Sequence, residues 1–255
     1  IAGDGPAFVV HLGDLVFQGA DEGHWKWFDR VARPLREKQI PCYPILGNHE
    51  HFGSNPAALK HLRGRFPCLR GKPWYAVKFE SVAILLLDSN FVELEDLEIA
   101  EQNEWYREQL QWCEEDASVE AVIVCAHHPP FTRSTVVSPD GKVKALFGEP
   151  FLQKEKTRIF FSGHAHAYER FEVRGKQFVV SGGGGGPIPR NSRLRSATGS
   201  PRSTLPSSLA SAASGQASGP ARRKRPSRTL TASASSALPL PSASPRRKRA
   251  GSWPS

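Results

Sequence analysis

Four short polar motifs in this sequence each follow an apolar, β-branched run. They are Gly13-Asp14, Gly47-Asn48-His49-Glu50, His127-His128 and Gly163-His164-Ala165-His166. A short apolar run that ends in polar residues is typical of a buried strand whose last residue reaches the loop edge of an α/β sheet. Side chains at such edges meet in space although they are distant in sequence. The pattern therefore predicts a metal site.

The donors in these motifs are oxygen and nitrogen atoms. Asp14 offers a carboxylate, Asn48 an amide oxygen, and three imidazoles come from His127, His164 and His166. Such ligands suit zinc, iron or manganese. A carboxylate can bridge two cations, and two cations ~3.5–4 Å apart can hold a hydroxide between them that attacks phosphorus. We therefore expect a metal-dependent phosphoester hydrolase.

In their order, the four motifs resemble those of the calcineurin-like metallophosphoesterases. The extension Ala167-Tyr168-Glu169-Arg170 resembles the purple acid phosphatase branch, and the resemblance covers residues 1–186. It implies an α/β (α+β) fold, a four-layer αββα sandwich. It also implies two divalent or mixed-valence metal ions (Fe, Zn or Mn), no organic cofactor, and a phosphomonoester as the small-molecule substrate, attacked by a metal-bridging hydroxide. The pair His127-His128 with its two prolines also occurs in cyclic-nucleotide phosphodiesterases, which are the alternative.

The resemblance assigns the metal ligands one by one. Asp14 bridges the two ions, the second ion is bound by Asn48, His127 and His164, and His166 binds the first ion.

The same resemblance places further residues around the metals. His49 lies outside the metal shell, where it contacts the phosphate and helps to protonate the leaving oxygen, and Glu50 holds the loop. His128 is either a space-filling neighbour of His127 or a second substrate contact. Asp88-Ser89-Asn90 ends a strand and is expected to cap a turn rather than to take part in catalysis.

Two features depart from the family pattern. The family's first motif, an Asp-x-His or its purple-phosphatase equivalent, belongs on a strand before Phe8, and residues 1–6 do not supply it. We therefore expect a chain that lacks its first strand, binds at most one metal ion well and turns over poorly. Phe17 stands where purple acid phosphatases place a tyrosinate, so the resemblance implies a colourless enzyme.

Hydrophobic periodicity predicts the elements that position these motifs. Strands are expected at 8–12, 41–46, 74–79, 82–87, 119–126, 158–161, 171–173 and 176–180, and helices at 21–38, 55–62, 97–113 and 143–153. In the first helix Trp25, Phe28, Val31 and Leu35 form the apolar face, and Pro34 is expected to kink or shorten it. Strict βαβ alternation is missing, which favours two packed sheets flanked by helices.

The charge of the chain changes sharply near residue 187. Residues 1–186 contain 21 basic and 25 acidic residues, whereas residues 187–255 contain 13 basic and no acidic residues. The latter segment is rich in Ser, Ala, Pro and Arg, and we predict a disordered basic tail, from a frameshift in one interpretation. Its two basic clusters, at 222–225 and 246–249, could contact the phosphate backbone of nucleic acid or act as a nuclear address, and an inactive nucleic-acid-binding protein is the alternative class.

Composition leaves the compartment open, with secreted and periplasmic locations included. The four cysteines have no CxxC spacing, which argues against a thiolate metal site. No apolar run approaches the ~18 residues of a membrane span, and no signal peptide is visible. Substrate identity and oligomeric state have no recognisable code in the sequence.

Overall fold

The computed structural model describes residues 1–184, so the predicted tail at 187–255 lies outside the described residues. The strands are β1 (Val9–His11), β2 (Cys42–Pro44), β3 (Tyr75–Phe79), β4 (Val82–Leu86), β5 (Ala121–Cys125), β6 (Thr157–Ser162), β7 (Tyr168–Val173) and β8 (Lys176–Ser181). The helices are α1 (Glu22–Glu37), α2 (Asn55–Arg65), α3 (Asp96–Glu115), α4 (Gly141–Val143) and α5 (Glu149–Gln153).

The strands form two sheets. Strands β1 and β2 pair in parallel, and the larger sheet has the order β3-β4-β5-β6-β8-β7. Its central strands β4, β5, β6 and β8 are parallel, whereas β3 and β7 pair antiparallel at the edges. Because parallel strands end at the same edge, the loops after β1 and β2 emerge together, as do the loops after β5 and β6.

Three hydrophobic clusters hold the sheets and helices together. Strand β4 shows how they arise, because Leu85 faces α3 and α5 while Ile84 and Leu86 face the smaller sheet. The other face of the smaller sheet packs through Leu46 against Trp25 of α1 and the residues of α2. The layers therefore run helix, sheet, sheet, helix, and the predicted αββα architecture is confirmed.

Helix α1 corrects two expectations. Pro34 does not shorten the helix, which continues to Glu37. Proline removes one N–H donor, and the carbonyl that this frees belongs to the exposed residue Arg30, which solvent can reach. Val31 was expected on the buried face but is 57% exposed, whereas Trp25 and Leu35 are buried.

The helix predicted at 143–153 is interrupted. It begins at Gly141, and a π-helical turn, Lys144–Gly148, separates α4 from α5. The buried side chains of Val143, Phe147 and Phe151 still follow one face. None of the helices in residues 1–184 is both long and apolar enough to span a membrane.

Candidate metal centre

Three predicted ligands lie around a ring nitrogen of a fourth, His127. The Nε2 atom of His127 lies 3.3 Å from Asp14 Oδ2, 3.2 Å from Asn48 Oδ1 and 3.1 Å from His164 Nδ1. These residues come from the loops after β1, β2, β5 and β6. Hydrogen bonds between the loops fix their approach, because Ile45 N–H donates to the His11 carbonyl and Gly163 N–H donates to the His127 carbonyl.

The tautomer of His127 shows what kind of species fits between these atoms. Its Nδ1 lies 2.6 Å from the carbonyl oxygen of Leu12, which can only accept a hydrogen bond, so Nδ1 carries a proton. In a neutral ring, Nε2 then presents a lone pair to the Asp14 carboxylate and to the amide oxygen of Asn48, which can both only accept. A proton on Nε2 or a metal cation between the four atoms removes this repulsion.

The spacing of the four atoms fits a small cation. Ligand atoms about 2.0–2.1 Å from a tetrahedral zinc ion lie about 3.3–3.4 Å from one another. The three distances from His127 Nε2 are 3.1–3.3 Å. One carboxylate, one amide oxygen and two imidazoles form a donor set suited to zinc, iron or manganese.

The charges of His127 and Asp14 support each other. Burial alone lowers the pKa of His127, but the hydrogen bond and negative charge of Asp14 outweigh it and raise that pKa. Burial alone raises the pKa of Asp14, and His127, together with the backbone N–H of His49, outweighs it and lowers that pKa. Asp14 is therefore a carboxylate near neutral pH.

The backbone of the site adopts conformations that side chains rarely take. Asp14, His164 and His166 have φ values of 53°, 60° and 46°, in the left-handed region. Such conformations cost roughly 1–3 kcal/mol each and cluster at functional sites. His164 and His166 are separated in the chain by one residue, Ala165, which is buried.

Two glycines allow the loops to approach each other. A Cβ atom on Gly47 would lie 2.2 Å from Asp14 Oδ1, and one on Gly13, whose φ is +86°, would lie 2.5 Å from His127 Nδ1. Any larger residue at these positions would displace a donor.

Glu50 lies under the loops and is completely buried. Its Oε2 accepts from the N–H groups of Asp14 (2.8 Å) and Gly47 (2.7 Å), and its Oε1 accepts from Leu15 N–H (2.7 Å) and, at 3.4 Å, from Val16 N–H. Burial, and then the charge of Asp14, raises the pKa of Glu50. One side chain thus ties the loop after β1 to the loop after β2.

His128 lies beside the four donors. Its ring centroid is 4.6 Å from that of His164, and one ring nitrogen from each of His127, His128 and His164 lies within 4.8 Å of the others. Burial and the neighbouring imidazoles lower the pKa of His128 to about 3 and the pKa of His164 to about 4. The Nδ1 of His128 is 2.9 Å from the hydroxyl oxygen of Ser89, a contact that the sequence did not indicate.

His49 lies at the rim of the cluster between two aromatic rings. Its Nδ1 is 2.6 Å from the carbonyl oxygen of Phe17, which leaves Nε2 for other partners. The rings of Phe17 and Phe52 lie 5.1 Å and 4.5 Å from the His49 ring, and they are 68% and 42% exposed. Phe17 therefore contacts His49, and sequence reasoning missed both this contact and that of Phe52.

The cysteines lie apart from this arrangement. All four are free thiols, and burial raises the pKa values of Cys113 and Cys125 to about 12. Neither buried thiol is ionised near neutral pH.

Comparison with known proteins gives a consistent picture. Tartrate-resistant acid phosphatase type 5 of Oryctolagus cuniculus is 28% identical over 75% of this chain, and purple acid phosphatase 1 of Ipomoea batatas is 31% identical over 64% of it. The chain spans less than two thirds of these relatives, 65% of the first and 37% of the second.

Solved structures share the fold. Purple acid phosphatase PPD1 of yellow lupin (Lupinus luteus) superimposes with a TM-score of 0.54 and 19% identity, over 74% of this chain and 40% of that one. GAP50, described as the anchor in the inner membrane complex of Plasmodium, gives a TM-score of 0.57 and 18% identity, over 71% of this chain and 63% of that one.

The resemblance expected from the four motifs is confirmed at the level of the family. The family model described as calcineurin-like phosphoesterase matches residues 1–168, which include every candidate ligand. The protein belongs to the calcineurin-like phosphoesterase family.

Proposed function

We propose that this protein is a metal-dependent phosphoester hydrolase that acts on phosphomonoesters. The observation that supports the proposal is the set of donors 3.1–3.3 Å from His127 Nε2, which combines one carboxylate, one amide oxygen and a second imidazole. In the proposal Asp14, Asn48, His127 and His164 hold one ion. His166 and Asp14 hold a second ion more weakly, because residues 1–6 do not supply the family's first motif. Zinc, iron and manganese are the candidates because no thiolate takes part.

The metal ions supply Lewis acidity and an activated water when they are bound. The protein's own residues hold the donors in place before binding. The Leu12 carbonyl keeps the Nδ1 proton on His127 and thereby directs the Nε2 lone pair at the ion. The charge of Glu50, through backbone N–H groups, fixes the loop that carries Asp14.

In this proposal His49 is the proton donor to the leaving group. The Phe17 carbonyl accepts the Nδ1 proton of His49, which leaves Nε2 as the ring nitrogen for substrate. A protonated His49 donates a hydrogen bond to the phosphate and then a proton to the leaving oxygen. His128, beside His127 and His164, is the second contact to the phosphate in this proposal.

The experiment compares p-nitrophenyl phosphate with its bis-ester on the chain loaded with Zn²⁺, Mn²⁺ or Fe²⁺. Asp14→Asn and His164→Gln are the test variants, and His61→Gln, on α2, is the matched control. We expect hydrolysis of the monoester that both test variants reduce by at least ~100-fold, together with loss of bound metal. Hydrolysis unaffected by either variant would falsify the assignment.

Cyclic-nucleotide phosphodiesterase activity is the second candidate, supported by His127-His128-Pro129-Pro130. Preferential hydrolysis of the bis-ester in the same assay would favour it. Metal binding without hydrolysis of either ester would favour the non-catalytic class, and salt-dependent DNA binding that is lost on deletion of residues 187–255 would then assign the function to the basic segment.

A further inference from the structure

Ser89 contacts His128 through two hydrogen bonds. The hydroxyl oxygen of Ser89 accepts from the backbone N–H of His128 at 3.0 Å and lies 2.9 Å from the Nδ1 of the same residue. Ser89 is buried, so solvent does not offer the hydroxyl another partner. Within residues 1–184, His128 Nδ1 is the acceptor available to the Ser89 O–H group.

Counting protons distinguishes the two neutral forms of His128. If Ser89 O–H donates to Nδ1, both bonds at the serine are made and the imidazole proton is on Nε2. If Nδ1 instead donates to the serine oxygen, the buried O–H of Ser89 has no acceptor among the described residues. An unmade buried hydrogen bond of this kind biases the equilibrium by roughly 5- to 150-fold.

We propose that Ser89 is a positioning residue that keeps the proton of His128 on Nε2, so that His128 donates a hydrogen bond to a phosphoryl oxygen instead of binding the metal ion. The inference rests on the proposed function for the identity of the bound phosphate. The tautomer itself does not depend on that function. His128 thereby differs from His127, whose Nδ1 proton is fixed by the Leu12 carbonyl and whose Nε2 is left as a lone pair.

The position of the His128 proton decides whether this ring binds the metal ion or an anion. Ring nitrogens of His127, His128 and His164 lie within 4.8 Å of one another, which by itself permits a site with three imidazole ligands. A protonated Nε2 cannot ligate, whereas it can bind an anion held next to the cation.

The loop that carries Ser89 is rigidly held. Asp88 Oδ1 accepts from the Asn90 backbone N–H at 2.9 Å, and Asn90 Nδ2 donates to the Leu46 carbonyl at 3.2 Å. The backbone of Asp88 makes two further bonds, because its N–H donates to Gln102 Oε1 at 2.7 Å and its carbonyl accepts from Gln102 Nε2 at 2.8 Å. Ser89 therefore sits on a fixed support, as a positioning residue requires. The expected turn cap at Asp88 is present. The contact of Ser89 with His128 was not expected from the sequence.

The first test is the tautomer of His128 in the metal-free full chain, measured by two-bond ¹H–¹⁵N correlation of the imidazole nitrogens. We expect a protonated Nε2 and an unprotonated Nδ1 for His128, whereas the Nδ1 of His127 should carry a proton. This measurement needs no substitution and no enzymatic activity. A His128 protonated on Nδ1 would overturn the proposal.

The second test measures binding of Zn²⁺ to the chain and of inorganic phosphate to the Zn-loaded chain. Ser89→Ala and His128→Gln should each weaken phosphate binding by roughly 3- to 10-fold and change Zn²⁺ affinity by less than about twofold. The double variant should bind phosphate no more weakly than His128→Gln, because the serine acts through the histidine. Ser89→Thr, which keeps the hydroxyl, should restore binding.

Ser81→Ala, at the other end of β4, is the control and should leave both affinities unchanged. A loss of Zn²⁺ affinity of tenfold or more in His128→Gln would make His128 a ligand and contradict the inference. Additive losses of phosphate affinity in the double variant would contradict the positioning role. Either result leaves the metal site of Asp14 and His164, and thus the proposed function, in place.

Discussion

Glu50→Gln changes one charge and no heavy-atom position, and it tests whether Glu50 holds the two metal-binding loops together. The carboxylate accepts three short hydrogen bonds, from Asp14, Gly47 and Leu15, at 2.7–2.8 Å. The amide oxygen of glutamine takes the place of Oε2, which accepts from Asp14 and Gly47. Its NH₂ group then takes the place of Oε1 and faces the Leu15 N–H, so that two donors oppose each other. A bond to a charged acceptor contributes about 1.5–3 kcal/mol, and an unpaired buried donor costs a further ~1–3 kcal/mol.

Burying a neutral amide instead of a carboxylate offsets part of this loss, because burial disfavours the charged form of Glu50. We therefore expect the free energy of unfolding to fall by about 2–4 kcal/mol, and Tm by roughly 4–16 °C. Urea denaturation of the metal-free chain measures the change in the free energy of unfolding. Zn²⁺ affinity should also fall, by about 10- to 100-fold, since Asp14 loses its support.

Glu98→Gln is the matched control. Glu98 also accepts a backbone N–H bond, from Glu95 at 3.1 Å, but at an exposed helix start, so the cost should be at most about 1 kcal/mol. If Glu50→Gln remained within about 0.5 kcal/mol of the unsubstituted chain, the role assigned to Glu50 would be wrong.

Two further predictions concern packing and pH. Gly47→Ala should lower Zn²⁺ affinity by at least ~10-fold, because the new Cβ would lie 2.2 Å from Asp14 Oδ1. The control Gly64→Ala, on α2 with open space around it, should raise the free energy of unfolding by about 0.5–1 kcal/mol. Calorimetric titration and urea unfolding measure both variants, and equal effects of the two would count against the close approach at Gly47. Folding lowers the pKa of His128 to about 3 and that of His164 to about 4. Between pH 6.5 and pH 4 the unfolded chain therefore binds protons that the folded chain does not. The metal-free protein should lose stability as pH falls through this range. His128→Gln should weaken that dependence, and a urea midpoint with the same pH slope in both proteins would contradict the shift.

The positions of the metal-site motifs could be read from the sequence because each follows a short buried strand. Asp14 follows a strand of the smaller sheet and His127 follows a strand of the larger one, and they lie 3.3 Å apart although more than a hundred residues separate them. Helix and strand types followed from periodicity. Val31 was an error, because it was expected on the buried face of α1 and is 57% exposed.

What the sequence could not provide were contacts that depend on tertiary geometry. The Leu12 carbonyl sets the tautomer of His127, and no residue type signals a backbone oxygen. Ser89 contacts His128 from a different strand, in a motif that resembles many turn caps. The left-handed backbone conformation of His164 was likewise not predictable, because histidine has no strong intrinsic preference for positive φ.

The most direct measurement is X-ray absorption of the chain loaded with one equivalent of Zn²⁺. The ligand assignment predicts a shell of nitrogen and oxygen atoms about 2.0–2.1 Å from zinc, with the outer scattering of imidazole rings. His164→Gln should lose this signal, and Asp14→Asn should weaken it. A sulfur shell near ~2.3 Å, or a spectrum that neither variant changes, would contradict the assignment of the metal centre to these residues.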